Sequence, residues 1–157
     1  VVGCNSVVFD ENGYKGIRKT TEYPSKEMLL SNTPFMHPTI MMRKVVFDAL
    51  GGYTVSKKTM RSQDLELWFR FYQKGYKGYN IQEPLYLYRE TTDDYKKRSV
   101  KTGFNAMKLF LDGYPKVGVP KWKYVYALKP LIAVLIPRFI MKKYHDNQVV
   151  KNSGNSK

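Results

Sequence analysis

Asp64 and Glu66 open a strongly apolar helical stretch, Ser62-Gln63-Asp64-Leu65-Glu66-Leu67-Trp68-Phe69-Arg70. A carboxylate in the first turn of a helix has two uses. It stabilises the positive end of the helix dipole, or, held by backbone N–H groups, it accepts a proton from a substrate as a general base. Residues two apart point to different sides of a helix, so this pair is not a two-carboxylate site. His37 precedes Pro38 and reads as a loop or lining residue, because possible co-ligands for a metal are remote in sequence. His145 reads as a surface residue after the last helix. Ser6, Ser25 and Ser62 sit in no nucleophile elbow. Asp93-Asp94 is adjacent to a basic helix and reads as a cap. The single cysteine, Cys4, lies in an apolar run and reads as a small buried hydrophobe.

Stepping outward along the chain gives the elements that must position these groups. Val1 to Asp10 is a β-branched run, and Asn12-Gly13 predicts a turn from which Tyr14 to Arg18 returns as a hairpin strand. Ser25 is an N-cap for a short helix through Leu30. Asn32 to Pro38 is a loop, Thr39 to Met42 a short extended piece, and Lys44 to Leu50 a helix stopped by Gly51-Gly52. Ser62 caps the next helix, which runs to about Lys74. Leu65, Trp68, Phe69 and Tyr72 recur at helical spacing and predict its core face. Tyr79 to Arg89 is a strand pair or one kinked strand with Pro84 at an edge or break. Asp94 to Leu111 reads as a basic amphipathic helix ending near Gly113. Trp122 to Tyr144 is helical in composition but carries Pro130 and Pro137. Val149 to Lys157 is a polar tail.

The chain has 157 residues, enough for one domain with a real core. Hydrophobic residues make up 43% and aromatic ones 15%, which excludes a disordered polypeptide. The start, Val-Val-Gly-Cys-Asn, reads as an internal strand and predicts a piece of a longer protein. The net charge of +14 is unevenly placed: 13 Lys/Arg stand against 11 Asp/Glu through Asp94, and 14 against 2 thereafter. Such a block attracts polyanions, whether nucleic acid, anionic lipid or a phosphorylated substrate. The apolar run Leu131 to Ile136 is too short to span a bilayer. With Lys129 and Arg138 around it and Trp122, Tyr124 and Tyr126 before it, it suits either a membrane interface or a buried helix with basic ends.

The acidic stretch resembles that of the family 2 glycosyltransferases, in which a Glu-Asp pair precedes a Leu-Trp-x-Arg helix. Gln63 stands where the first acid would be, and Asp64 retains the second. The segment Phe35 to Lys44, the Gly-Gly-Tyr turn at Gly51 to Tyr53 and the strand Ile81 to Arg89 are similar to family segments in the same order. The resemblance covers roughly residues 1 to 89. It implies an α/β fold: part of a GT-A (Rossmann-like) architecture, a small mixed sheet flanked by helices, with C-terminal amphipathic helices. It implies Asp64 as the catalytic base and Gln63, His37, Trp68 and Arg89 as acceptor-binding residues.

The implied reaction transfers a hexose, with inversion, from a nucleotide-sugar donor to a glycan or lipid-linked acceptor. A divalent metal, Mg or Mn, is implied for the full-length enzyme. The family's Asp-x-Asp motif does not occur in this chain, nor does a Gly-rich phosphate loop, so metal and donor are expected to bind in another part. The expected organisation is an acceptor-side half at 1–92, a basic helical extension at 93–148 and a disordered tail at 149–157. The expected setting is cytoplasmic, peripheral to an anionic membrane surface, with self-association of a piece whose sheet edge is uncovered. Two other classes stay open on the residues alone: a basic nucleic-acid-binding module, and a non-catalytic membrane or assembly module.

Overall fold

The computed structural model describes residues 1–30, 33–90 and 99–136, together with positions 140, 147 and 149. The predictions for Asp93-Asp94, Arg138, His145 and the polar tail after 149 lie outside the described residues. The architecture is mixed α/β, as the sequence predicts: the described residues form three strands in the order β2-β1-β3, flanked by helices.

Strand β1 (Val2–Asp10) is central. It pairs antiparallel with β2 (Gly13–Arg18) and parallel with β3 (Tyr79–Arg89), so the sheet is mixed. Asn12-Gly13 makes the turn, with Gly13 at φ +106°, a conformation that suits glycine. Tyr79 to Arg89 is one kinked strand: Cys4 pairs with Ile81, but Asn5 pairs with Pro84, so Gln82 and Glu83 bulge out. Proline has no N–H for the ladder, and the bulge puts it where none is needed. Asn5, buried in the sheet, ties the bulge down. Its Nδ2 donates to Gln82 O at 2.7 Å, and its Oδ1 accepts from Thr20 N at 2.7 Å and Thr20 Oγ1 at 2.9 Å.

Helix α1 (Lys44–Ala49) ends as expected at Gly51 (φ +76°) and Gly52 (φ +67°). Helix α2 (Gln63–Gln73) buries Leu65, Leu67, Trp68, Phe69 and Phe71. The buried arc is therefore wider than the predicted face. Tyr72 is only half-buried, its hydroxyl donating to Pro24 O at 3.0 Å. The extended piece expected at Thr39 to Met42 begins instead with a 3-10 turn, His37–Thr39, in which Pro38 sets the backbone. Only Met41 pairs, bridging Val2. The residues 26–30 also form a 3-10 rather than an α turn.

Helix α3 (Val100–Gly113) starts later than the expected Asp94. Ser99 and Thr102 form a reciprocal capping box, Thr102 N donating to Ser99 Oγ at 3.2 Å and Ser99 N to Thr102 Oγ1 at 3.0 Å. The segment from Trp122 is not one helix: Lys121–Leu128 is 3-10, and α4 (Lys129–Leu135) follows with Pro130 in its first turn, where a missing N–H is tolerated. One core joins Leu29, Phe35, Leu50, the buried residues of α2, Tyr114, Val117 and Ala127. Cys4 is free and buried, as expected.

Candidate active site

Asp64 sits one residue into α2, half-buried. Its Oδ1 accepts the Leu65 backbone N–H at 2.8 Å. That bond orients the carboxyl group and leaves Oδ2 without a partner among the described residues. This is the geometry a base needs: one oxygen fixed, the other presented.

His37 lies within range of its charge. The Asp64 charge favours the imidazolium, but burial outweighs it and holds His37 below the ordinary histidine range. His37 Nε2 lies 2.8 Å from the Tyr53 hydroxyl. Its ring packs edge-on against Trp68 (5.6 Å between centroids) and Tyr53 (5.7 Å). His37 Nδ1 is buried and has no partner among the described residues. The imidazole thus holds a tyrosine hydroxyl, while Tyr53 itself is 43% exposed.

Tyr53 is held from below as well. Arg70 donates through its η nitrogens to Leu50 O and, at 2.8 Å, to Gly52 O. The same guanidinium grips Glu66, Nε to Oε1 at 2.8 Å and Nη2 to Oε2 at 2.6 Å. The second acid of the stretch is therefore structural. It fixes an arginine that clamps the carbonyls of the Gly-Gly-Tyr turn, and the planar guanidinium fork suits that task. Phe47 closes the other side, its ring 5.4 Å from that of Tyr53.

The predicted site residues separate. Gln63 and Asp64 are successive residues at the start of α2, and the Asp64 charge acts on His37 of the 3-10 turn. Trp68 lies directly beneath His37 but is wholly buried, its Nε1 included, 4.7 Å from Phe35 and 5.6 Å from Phe71. As placed, Trp68 packs within the core cluster. Arg89 is exposed and pairs with Phe9. The His37 turn touches β1 at Cys4, whose N–H donates to Thr39 Oγ1 at 3.2 Å. Tyr53 as a partner of His37, and the Glu66–Arg70 clamp, were missed. The i,i+4 spacing of Glu66 and Arg70 was the available signal.

Among the described residues no three His, Cys, Asp or Glu side chains gather as a metal set. The residues around Asp64 therefore do not fit a divalent ion of their own.

No family model matches the chain, and no solved structure matches it. The chain is similar to a protein of Bacillus subtilis (strain 168) described as "Putative glycosyltransferase EpsE", 38% identical over 150 residues. That match covers 96% of this chain and 54% of the relative, so the chain spans about half the relative's length.

Proposed function

We propose that this chain is the acceptor-side half of a glycosyltransferase, with Asp64 as its general base. The observation that carries the reading is the held carboxylate, with Oδ1 tied to the Leu65 N–H and Oδ2 without a partner among the described residues. The likeness to a described glycosyltransferase over 96% of the chain supports it. The donor is a nucleotide-activated hexose, and the acceptor a glycan or lipid-linked saccharide.

In the proposed step the acceptor hydroxyl gives its proton to Asp64 Oδ2 as its oxygen attacks the anomeric carbon. The new C–O bond forms as the bond to the nucleotide diphosphate breaks. The diphosphate leaves with the electron pair, and the carbon inverts. A carboxylate within hydrogen-bond reach is worth on the order of 10² or more in rate for such a transfer. His37 acts as a positioning residue, setting the Tyr53 hydroxyl at the rim where an acceptor arrives. Gln63, half-buried at the first position of α2, lies next to the base for an acceptor hydrogen bond. The Mg or Mn expected for the full-length enzyme would accompany the donor outside this chain, and no step here uses it.

The test is Asp64→Asn in the full-length enzyme. Turnover should fall by about 10² or more, with donor KM unchanged. A folded variant that turns over near the parent rate removes the assignment.

A further inference from the structure

Gly103 shows which side of the C-terminal segment faces the protein. A Cβ there would meet Val134 Cγ2 at 3.0 Å, Pro130 O at 3.1 Å and Leu131 Cδ2 at 3.5 Å, so α4 lies against α3 through Pro130, Leu131 and Val134. The preceding 3-10 helix has three residues per turn, and positions three apart stack. Tyr124 and Ala127 form its inner row: Ala127 is buried, and the Tyr124 ring lies 5.5 Å from that of Tyr114. The outer row is Trp122, Val125 and Leu128, exposed by 74%, 62% and 46%. Helix α4 extends it with Ile132 (57%) and Leu135 (78%), four and seven residues beyond Leu128 and so on one α-helical face. Five large apolar side chains thus face outward in one stripe across two helical segments.

Lysines border the stripe. Lys121 and Lys129 are exposed, and Lys123 Nζ lies 5.0 Å from the centre of the Trp122 ring. Between Asp112 and Asp146 the sequence has no Asp or Glu. No helix among the described residues is long and apolar enough to cross a membrane.

We propose that this stripe docks flat on an anionic lipid bilayer. The occupant follows from the chemistry. A tryptophan at one end suits the headgroup level, aliphatic side chains enter the acyl boundary, and lysines meet lipid phosphate. A second copy of the chain would bring the same lysines against these and be repelled. A nucleic acid strand would use the lysines and Trp122 but find nothing for Val125, Leu128, Ile132 and Leu135.

The test is co-sedimentation of the full-length protein with vesicles of phosphatidylglycerol mixed into phosphatidylcholine, and with phosphatidylcholine alone. Binding to the mixed vesicles is expected, with high salt weakening it. Each lysine contributes about fivefold, so Lys121→Gln/Lys123→Gln/Lys129→Gln should lower partitioning by on the order of 10². Ile132→Ser/Leu135→Ser, at exposed positions, should lower it with the melt unchanged. A blue shift of tryptophan emission on binding should shrink in Trp122→Phe, since the buried Trp68 contributes none of it. Equal binding to both vesicles, no binding to either, binding that both multiple variants leave intact, or preference for an oligonucleotide over vesicles would each overturn the proposal. The measurement needs no sugar donor, so its failure leaves the role of Asp64 standing.

Discussion

Helices α2 and α4 are both short and rich in large apolar side chains, yet they meet water in opposite ways. Five of the eleven residues of α2 are buried, while α4, apolar at every position from Leu131 to Leu135, buries none fully. Apolar content does not decide burial; the available neighbours do. Phe35, Tyr114 and the Gly-Gly-Tyr turn surround α2, so its few polar groups have defined tasks. Helix α4 has one neighbouring face, on α3, and its remaining surface is an exposed apolar patch, which is the more informative observation about a partner.

The largest expected contrast is between the two tryptophans. Trp68→Ala should destabilise by about 3–5 kcal/mol as a large-to-small core change. Trp122→Ala should stay within about 0.5 kcal/mol. Thermal melts decide it: a shift of several degrees for Trp68 alone keeps the contrast, and equal shifts break it.

Next in size is Arg70→Met. It removes donors from the carbonyls of Leu50 and Gly52 and strands the half-buried Glu66. The expected loss is about 2 kcal/mol, with Arg70→Lys recovering little because an ammonium cannot form the fork. Denaturant unfolding of the two variants measures it. A full rescue by lysine would reduce the clamp to simple charge pairing.

Gly103→Ala tests the inner face of α4. Alanine gains helix propensity, roughly 1 kcal/mol, but its methyl meets Pro130 O at 3.1 Å, and backbone does not give way easily. Overpacking of about 1–3 kcal/mol should win, leaving a net loss of about 1 kcal/mol in urea unfolding. A net gain would mean α4 rests loosely on α3.

The smallest effect concerns pH. Burial lowers the folded-state pKa of His37, so the unfolded chain binds the proton more readily. The stability tied to neutral His37 is fully present above its ordinary value of about 6.5 and is lost as pH falls through the depressed folded value. His37→Gln should flatten that slope relative to the parent protein between about pH 7 and 5. Identical slopes would place the imidazole in water.

Much of this was legible in the sequence where the determinant is local. Asn12-Gly13 fixed the hairpin, Gly51-Gly52 the end of α1, and the apolar spacing after Ser62 the helix carrying Asp64. Local chemistry also misled: proline and glycine around residues 37–39 and 115–128 produce 3-10 turns where composition alone suggested strand or α-helix. Contacts between distant residues were not legible. Nothing near Arg70 says that its guanidinium caps carbonyls 18 and 20 residues upstream. Nothing near His37 names Tyr53, and the exposure of one α4 face emerges only once Gly103 has seated the other.

The parallel pairing of β1 with β3 has a consequence in time. Asn5 reaches its partner Gln82 across 77 residues. During synthesis at 5–20 residues per second, β1 and β2 can close their hairpin at once, but β1's other edge waits about 4 to 16 seconds for β3 to emerge. Through that interval a strand destined for the centre of the sheet is an open edge, the kind that recruits stray strands. Ribosome-stalled chains should register it: those halted before Tyr79 emerges should be cut by protease within β1, and those released past Glu90 should resist.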